Sequence, residues 1–535
     1  MTLLLDIQGL TIELPAGADR VYAVQGLSLR VDAGRTLCVV GESGSGKSLT
    51  AAAIVRLLPS PDLRISGGSI LLEGRDTLAM SSAELLQVRG GRVGYIFQDP
   101  LSCLNPLERV GLQIREVLDR HAWKGDRAAR VMQLLSDVGL PEPEITRTRY
   151  PWELSGGQRQ RVMIAIALAA DPQLIIADEP TTALDVTTQA QILRLLRDLQ
   201  AKRGLGLLLI THDFGVVSEM ADDVAVLRAG RLVEAGPRAQ VLGQPREVYT
   251  QRLLAAVPPL VARPARVPGT ALLKAQGLRK IWHSRGAWGR NDVGTLAVDD
   301  VALSVNFGET VAVVGESGSG KSTLARMLAR LTEGEDGQAY LAGVSDNYLA
   351  LPSRTLAPLR RAVQVIFQDP FASLNPRHTV GESIAMGPIA NGTPHAQALR
   401  EVGELLERVR IDPRAAGRYP NEFSGGQRQR IVIARALAMK AKLLIADEPV
   451  SSLDASVQSD ILDLLDEIQA RDGVGMVFIT HDLRVAARMA DHIVVMHRGR
   501  VVESGTAFQI LTQPTQSYTR ELLSAVPKLR LERAE

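Results

Sequence analysis

The chain has 535 residues and lacks any apolar run near the roughly 18 residues that a membrane helix needs. Its longest candidate, Val162 to Ala170, stops at Asp171. The N-terminal MTLLLDIQGL lacks a basic start and reads as a strand, so no signal peptide is expected. Any membrane role therefore falls to partner subunits. Cysteine is almost absent. Cys38 and Cys103 are isolated, whereas an all-cysteine zinc site or an iron–sulfur cluster takes about four thiolates. Incidental cysteines of a reduced, cytosolic protein are the expectation. An excess of one charge is missing too: 61 Lys and Arg face 59 Asp and Glu. That balance gives no electrostatic case for nucleic acid. Among the histidines, only His212 and His481 stand in a motif, and the others show no ligand spacing.

What the chain does have is length for two or more domains and a unit written twice. Gly41-Glu-Ser43-Gly44-Ser45-Gly46-Lys47-Ser48 returns as Gly315-Glu-Ser317-Gly318-Ser319-Gly320-Lys321-Ser322, 274 positions on. Phe97-Gln98-Asp-Pro returns with Gln368, 270 positions on. Ser155-Gly156-Gly157-Gln158 returns as Ser424-Gly425-Gly426-Gln427, Asp178-Glu179 as Asp447-Glu448, and His212 as His481, each 269 positions on. Order and spacing survive together, which is the mark of a duplication. Between the copies, Val257 to Gly269 holds four prolines. Such a segment cannot join a backbone ladder and reads as a semi-rigid extended linker. The boundary is placed near Ala265, giving domains 1–265 and 266–535, with linker about 257–272.

Each unit alternates short apolar strands with helical stretches. Arg35 to Val40 reads as a strand entering the glycine loop, with a helix over Ser48 to Leu58. Leu174 to Ala177 and Leu207 to Ile210 are further strands. This succession argues for an α/β fold with a mostly parallel sheet and helices on both faces. Between Gln98 and Ser155 the pattern turns helical, as in Arg130 to Gly139, and reads as an inserted subdomain.

Glycines let a loop aim backbone N–H groups at phosphate oxygens, where a helix dipole also favours an anion. Lys47 and Lys321 are placed on β- and γ-phosphates, and Ser48 and Ser322 on Mg²⁺. Leu49 and Thr323 close the two loops. Asp178 and Asp447, ending apolar strands, suit Mg²⁺, and Glu179 and Glu448 suit the attacking water. A serine and two glycines at a helix start, as at Ser155 and Ser424, can cradle a γ-phosphate or merely cap the helix. Their repetition ahead of an acid-terminated strand favours the first reading.

The Leu154-Ser-Gly-Gly-Gln158 segment, followed by Arg159-Gln160-Arg161, resembles the signature of the ATP-binding cassette (ABC) family. The second copy differs by Phe423 for Leu154. The resemblance covers nearly the whole chain. It implies two P-loop nucleotide-binding domains, each a RecA-like, mostly parallel core with an antiparallel β part and an inserted helical subdomain. It also implies two ATP sites built head to tail. One takes Lys47, Ser48, Gln98, Asp178, Glu179 and His212, closed by Ser424, Gly425, Gly426 and Gln427. The other takes Lys321, Ser322, Gln368, Asp447, Glu448 and His481, closed by Ser155, Gly156, Gly157 and Gln158. By the same resemblance Gln98 and Gln368 sense the γ-phosphate and Mg²⁺, and the histidines contact the γ-phosphate. Ala183-Leu-Asp185 and Ser452-Leu-Asp454 resemble the loop that touches the opposite site. Trp282 matches the aromatic that stacks on adenine; the first half offers Leu14 there, with Tyr22 as a substitute at a different spacing.

Gln98-Asp-Pro-Leu-Ser-Cys-Leu-Asn-Pro106, its copy Gln368 to Pro376, and the tails Tyr249 to Pro258 and Tyr518 to Pro527 look like ATPases of bacterial dipeptide, oligopeptide and nickel importers. Tandem forms resemble those of microcin C-type peptide and glutathione importers. The resemblance implies two membrane permease subunits, an extracytoplasmic solute-binding protein, and a peripheral place on the cytoplasmic face of the bacterial inner membrane. A tandem-cassette translation factor acting on ribosomes is the alternative, and a long charged helical linker would distinguish it. A DNA-repair ATPase of the excision type would need zinc cysteines. Chromosome-organising ATPases insert coiled coil between loop and signature, where this chain has 108 positions between Lys47 and Ser155.

Overall fold

Strand Thr36–Val40 is buried over its whole length, as are Leu174–Asp178 and Gly206–Ile210. Continuous apolar runs of this kind fit a sheet covered on both faces. The computed structural model describes residues 2–182, 184–264, 266–267, 269–284, 293–344, 346–451 and 453–527. Ala183, Ser452 and Ala265 lie outside them. One compact unit holds most of residues 1–257, and another most of 258–526.

In the first unit six strands lie in the order Arg231–Pro237, Asp223–Arg228, Thr36–Val40, Gly206–Ile210, Leu174–Asp178, Val93–Ile96. The five from Asp223–Arg228 onward pair in parallel, and the edge strand Arg231–Pro237 is antiparallel. A second, antiparallel sheet carries Tyr22–Asp32, Leu3–Glu13, Arg64–Leu72 and Arg75–Asp76. The second unit repeats the six-strand order with Arg500–Thr506, His492–His497, Thr310–Val314, Gly475–Ile479, Leu443–Asp447 and Val363–Ile366. Its antiparallel sheet holds Val293–Asn306, Ala271–Ser284 and Asp336–Leu341. Parallel register brings the carboxyl ends of four adjacent strands to one edge of each sheet. Those ends deliver Gly41, His212, Asp178 and Gln98, the edge where open α/β sheets bind ligands.

The first unit has two cores, one on either face of the parallel sheet. Leu5, Ile7, Ile54, Val39 and Ile176 fill the side toward the antiparallel sheet. Ile114, Leu134, Ile164, Ile175 and Leu209 fill the side toward the helices. The expected inserted subdomain is helical, with Val110–Arg120 and Arg127–Asp137 packed ahead of Gly156–Ala167. Val380–Ala390, His395–Arg408 and Gly425–Ala438 repeat it.

One expectation changes. The helix after the first loop spans Lys47–Ile54, shorter than the Ser48 to Leu58 read from sequence. Arg56 adopts φ 52°, and Leu57 N–H bonds back to Ala52 O at 2.8 Å while Arg56 N–H bonds to Ala53 O at 3.0 Å. This is a Schellman ending with arginine where glycine is usual, so the stop carries no glycine signal. The proline-rich segment, expected as a semi-rigid extended linker, also carries anchors of its own. Within the second unit Arg263 N–H donates to Ala487 O at 3.1 Å, and its guanidinium binds Asp466 at 3.1 Å and also Asp491. Arg266 adds a bond to Asp466 at 3.1 Å. Leu260 and Ala262 pack beside Leu483 and Ala486. Without N–H groups on its prolines the segment uses side chains for anchorage instead of a ladder.

Candidate functional site

At Gly41 (φ 150°) an added Cβ would lie 2.2 Å from Leu227 O, and at Gly46 (φ 96°) 2.7 Å from Ala23 O. Gly315 and Gly320 are equally tight, 2.1 Å from Met496 O and 2.1 Å from Ala297 O. Only glycine fits these turns. Gly44 and Gly318 take φ 74° and 78° in open space. The helices Lys47–Ile54 and Lys321–Leu328 start at left-handed Gly46 and Gly320 without a side-chain cap, which suits helix starts that meet an anion. Lys47 Nζ, buried, donates to Gly41 O at 2.7 Å and Glu42 O at 3.0 Å. Lys321 does the same to Gly315 O and Glu316 O at 2.8 and 2.7 Å. Ser45 Oγ is buried with no partner among the described residues. A buried cation, an orphan hydroxyl and an uncapped helix start together fit a polyphosphate. Ser43 and Ser317 belong to the same turns.

Ser48 Oγ donates to Asp178 Oδ1 at 2.9 Å, and Ser322 Oγ to Asp447 Oδ1 at 3.1 Å. Burial pushes both aspartates above the usual carboxylate range, while the serine hydroxyls pull them back. A hydroxyl beside a carboxylate, all hard oxygen, fits Mg²⁺, which keeps water and phosphate as further ligands and needs no all-protein cage. Accordingly, no cluster of three or more His, Cys, Asp or Glu appears among the described residues.

Glu179 sits one residue past its strand at φ 46°, and Glu448 at φ 47°. A glutamate held in the left-handed region is strained. Its surroundings hold it there: Gln98 Nε2 donates to Glu179 Oε2 at 3.0 Å, Thr182 Oγ1 to the same oxygen at 2.9 Å, and His212 Nδ1 lies 3.3 Å from Oε1. Burial alone would raise its pKa, but His212, Thr182 and Lys47 hold it down to about 2. In the second unit Gln368 Nε2 donates to Glu448 Oε2 at 3.0 Å and His481 Nδ1 lies 3.2 Å from it. Glu448 is again lowered against its burial by His481, whose own pKa the carboxylate raises although burial opposes this. An ionised carboxylate between an amide and an imidazole can accept a proton from water and orient it.

Ser155 and Ser424 lie elsewhere, each at the N-cap of its own signature helix. Ser155 Oγ accepts from Gln158 N–H at 3.3 Å and Gln158 Oε1 accepts from Ser155 N–H at 3.0 Å; Ser424 and Gln427 repeat both distances. At Gly157 a Cβ would meet Thr188 Cγ2 at 2.5 Å, and at Gly426 Val457 Cγ1 at 2.3 Å. Gly156 and Gly425 have only ordinary contacts, at 3.6 and 3.8 Å.

Trp282 is 42% exposed, with Nε1 donating to Thr323 Oγ1 at 3.3 Å. Leu14 and Leu49, at the counterpart positions, pack against the first core. Tyr22 pairs with Glu13 across the sheet, and its register counterpart is Leu296, not Trp282. Tyrosines of the tail helices reach the glycine loops: Tyr249 Oη accepts from Glu42 N–H at 3.4 Å and Tyr518 Oη from Glu316 N–H at 3.2 Å. Sequence reasoning missed this role, although both tyrosines stood in the repeated tail. Thr182 was missed as well.

Glycine loop, acid-terminated strand and buried lysine define a nucleoside-triphosphate-hydrolysing core, present twice. The family model for ABC transporters matches residues 24–182 and 298–451. The model for the oligopeptide/dipeptide transporter C-terminal region matches 233–276 and 502–535. The chain is 45% identical to the peptidoglycan transport ATP-binding protein YejF of Agrobacterium fabrum, covering 98% of this chain and 96% of that one. It is 43% identical to the glutathione import ATP-binding protein GsiA of Salmonella typhimurium, covering 98% and 89%. A solved cassette dimer in a post-hydrolysis state bound to ADP and Pi matches at TM-score 0.40 and 29% identity, over 44% of this chain and 99% of that one. The chain belongs to the ABC transporter family, and it is an ATP-binding ATPase. These likenesses lend no support to the translation-factor alternative. No helix among the described residues is long and apolar enough to cross a membrane.

Proposed function

We propose that this chain powers uptake of peptides or related small solutes through a membrane permease. The observation that carries this is the oligopeptide/dipeptide transporter C-terminal region, matched once in each half beside a cassette. Relatives named for peptidoglycan transport and glutathione import support it. Domains 1–265 and 266–535 each bind Mg·ATP. Lys47 and Lys321 hold phosphate, and Ser48 with Asp178, or Ser322 with Asp447, hold the ion. Bound there, Mg²⁺ neutralises phosphate charge. Glu179 and Glu448 orient water, kept ionised and aimed by Gln98 and His212, or Gln368 and His481. Trp282 supports the adenine in one site.

The halves pair head to tail, so that Ser424, Gly425 and Gly426 close the first site and Ser155, Gly156 and Gly157 the second. Closure by ATP requires that the closed state bind ATP better, and signature contacts made only on closure meet that condition. Two permease subunits and an extracytoplasmic binding protein complete the assembly, and hold this chain on the cytoplasmic membrane face. Affinity purification from membranes tests the reading. Recovery of two polytopic subunits, and peptide-stimulated ATPase in proteoliposomes, is expected; recovery with ribosomes instead would overturn it.

A further inference from the structure

The two glycine loops differ at their flank. The second has Trp282, with Lys280 Nζ 5.1 Å from the ring centre and Thr323 bonded to the indole. The first has Ile12, Leu14 and Leu49 at the counterpart positions, and all three turn into the core. A different residue reaches this loop. Arg20, two residues ahead of strand Tyr22–Asp32, donates from Nη2 to the Gly44 carbonyl. Its Nε is buried and has no partner among the described residues. The carbonyls under Gly46 and Gly320 belong to Ala23 and Ala297, 274 positions apart. By that spacing the counterpart of Arg20 is Gly294, which has no side chain to offer.

We propose that Arg20 is a phosphate-binding residue of the first nucleotide site, a second cation beside Lys47 where the aromatic platform is missing. The inference rests on reading the Lys47 loop as an ATP site. Gly44 lies inside the turn that wraps the phosphates, so a guanidinium held there is within a side-chain swing of them. Moving an N–H from a neutral carbonyl to a phosphate oxygen turns a bond charged at one end into one charged at both. The guanidinium keeps further donors for a second oxygen. Affinity at the first site then comes from the triphosphate, with little regard to the base. At the second site the base contributes through Trp282.

Calorimetric titration of the full chain carrying Lys321→Ala, which silences the second site, tests this with Mg·ATP, Mg·GTP and inorganic triphosphate as probes. Arg20→Ala is expected to weaken all three by about tenfold, equivalent to one charge-assisted hydrogen bond, and Arg20→Lys to recover most of the loss. No change for any probe, or a loss confined to ATP with triphosphate binding intact, overturns the proposal. If Arg20→Ala does not fold, Arg20→Gln keeps a donor for Gly44 without the charge and carries the same expectation. Lys47→Ala added to the Lys321→Ala chain separates the two levels of inference. Survival of triphosphate binding in that variant would defeat the site reading itself, whatever Arg20 does.

Discussion

The two halves agree in the groups set for the metal and the attacking water and part in what flanks the glycine loops. Glutamine and glutamate meet at 3.0 Å in both. Imidazole and glutamate stand 3.3 and 3.2 Å apart, serine and aspartate 2.9 and 3.1 Å. Beyond that, the second half has Trp282 and Thr323 where the first has Leu14 and Leu49, and the first has Arg20 where the second has Gly294. Phosphoryl transfer depends on positioning and charge, where an error of about 1 Å is costly. Base stacking is sequence-tolerant and contributes affinity alone. A duplicated enzyme can therefore drift around the glycine loops while its reacting groups stay fixed.

The largest effect should come from the shared groups. Glu179→Gln and Glu448→Gln together are expected to lower ATPase turnover by at least about a hundredfold, the scale of losing one well-placed polar group, with ATP binding retained. The single variants sharpen the comparison, because equal geometry predicts comparable losses. Turnover left intact in the double variant would sink the role given to these acids.

The second effect concerns a difference. Asp222 and Asp491 each accept a backbone N–H, from Thr36 and Thr310 respectively, at 2.8 Å. Asp491 alone also binds the nearly buried Arg263. Arg263→Ala leaves Asp491 and Asp466 without that partner, and breaking a buried pair costs about 3 kcal/mol. Denaturant unfolding should show the loss in the transition of the second unit. A shift below roughly 0.5 kcal/mol, typical of surface positions, would mean that the contacts of the proline segment do not anchor it.

Third comes the base. Trp282→Ala is expected to weaken ATP at the second site by about tenfold, within the range for one stacked base, and to leave inorganic triphosphate unaffected. Titration in a Lys47→Ala background reads this directly. Equal loss for both probes would assign Trp282 to packing.

The duplication made most of this site legible. A motif read once is ambiguous, but Lys47 and Lys321, each buried against the carbonyls of its own glycine loop, disambiguate each other. The strand order was legible only as alternation, since pairing of Thr36–Val40 with Gly206–Ile210 joins segments far apart in sequence. Arg20 gave no signal because it stands in an irregular stretch between strands, where no periodicity marks direction. Arg56 ended its helix with no glycine to announce the stop. The tail tyrosines were visible as a repeat, yet their target lies 207 residues away for Tyr249 and 202 for Tyr518. Only packing of the tail helix against the loop reveals it.

Those tyrosines give the smallest expected effect and the finest test of equivalence. Each ring is held independently of its hydroxyl, Tyr249 under Arg228 at 4.9 Å and Tyr518 against His497 at 4.0 Å. Phenylalanine should therefore keep the tail helix in place while removing the acceptor from Glu42 or Glu316 N–H. A neutral hydrogen bond contributes about 1 kcal/mol, so Tyr518→Phe should weaken ATP binding at its own loop about fivefold. Tyr249→Phe should do less, because its bond is longer, 3.4 against 3.2 Å. Affinity and melting temperature measured together decide the matter. If both variants lower the melting temperature and leave affinity unchanged, the tail helix packs without steadying the loop. The C-terminal region would then have no direct link to nucleotide binding.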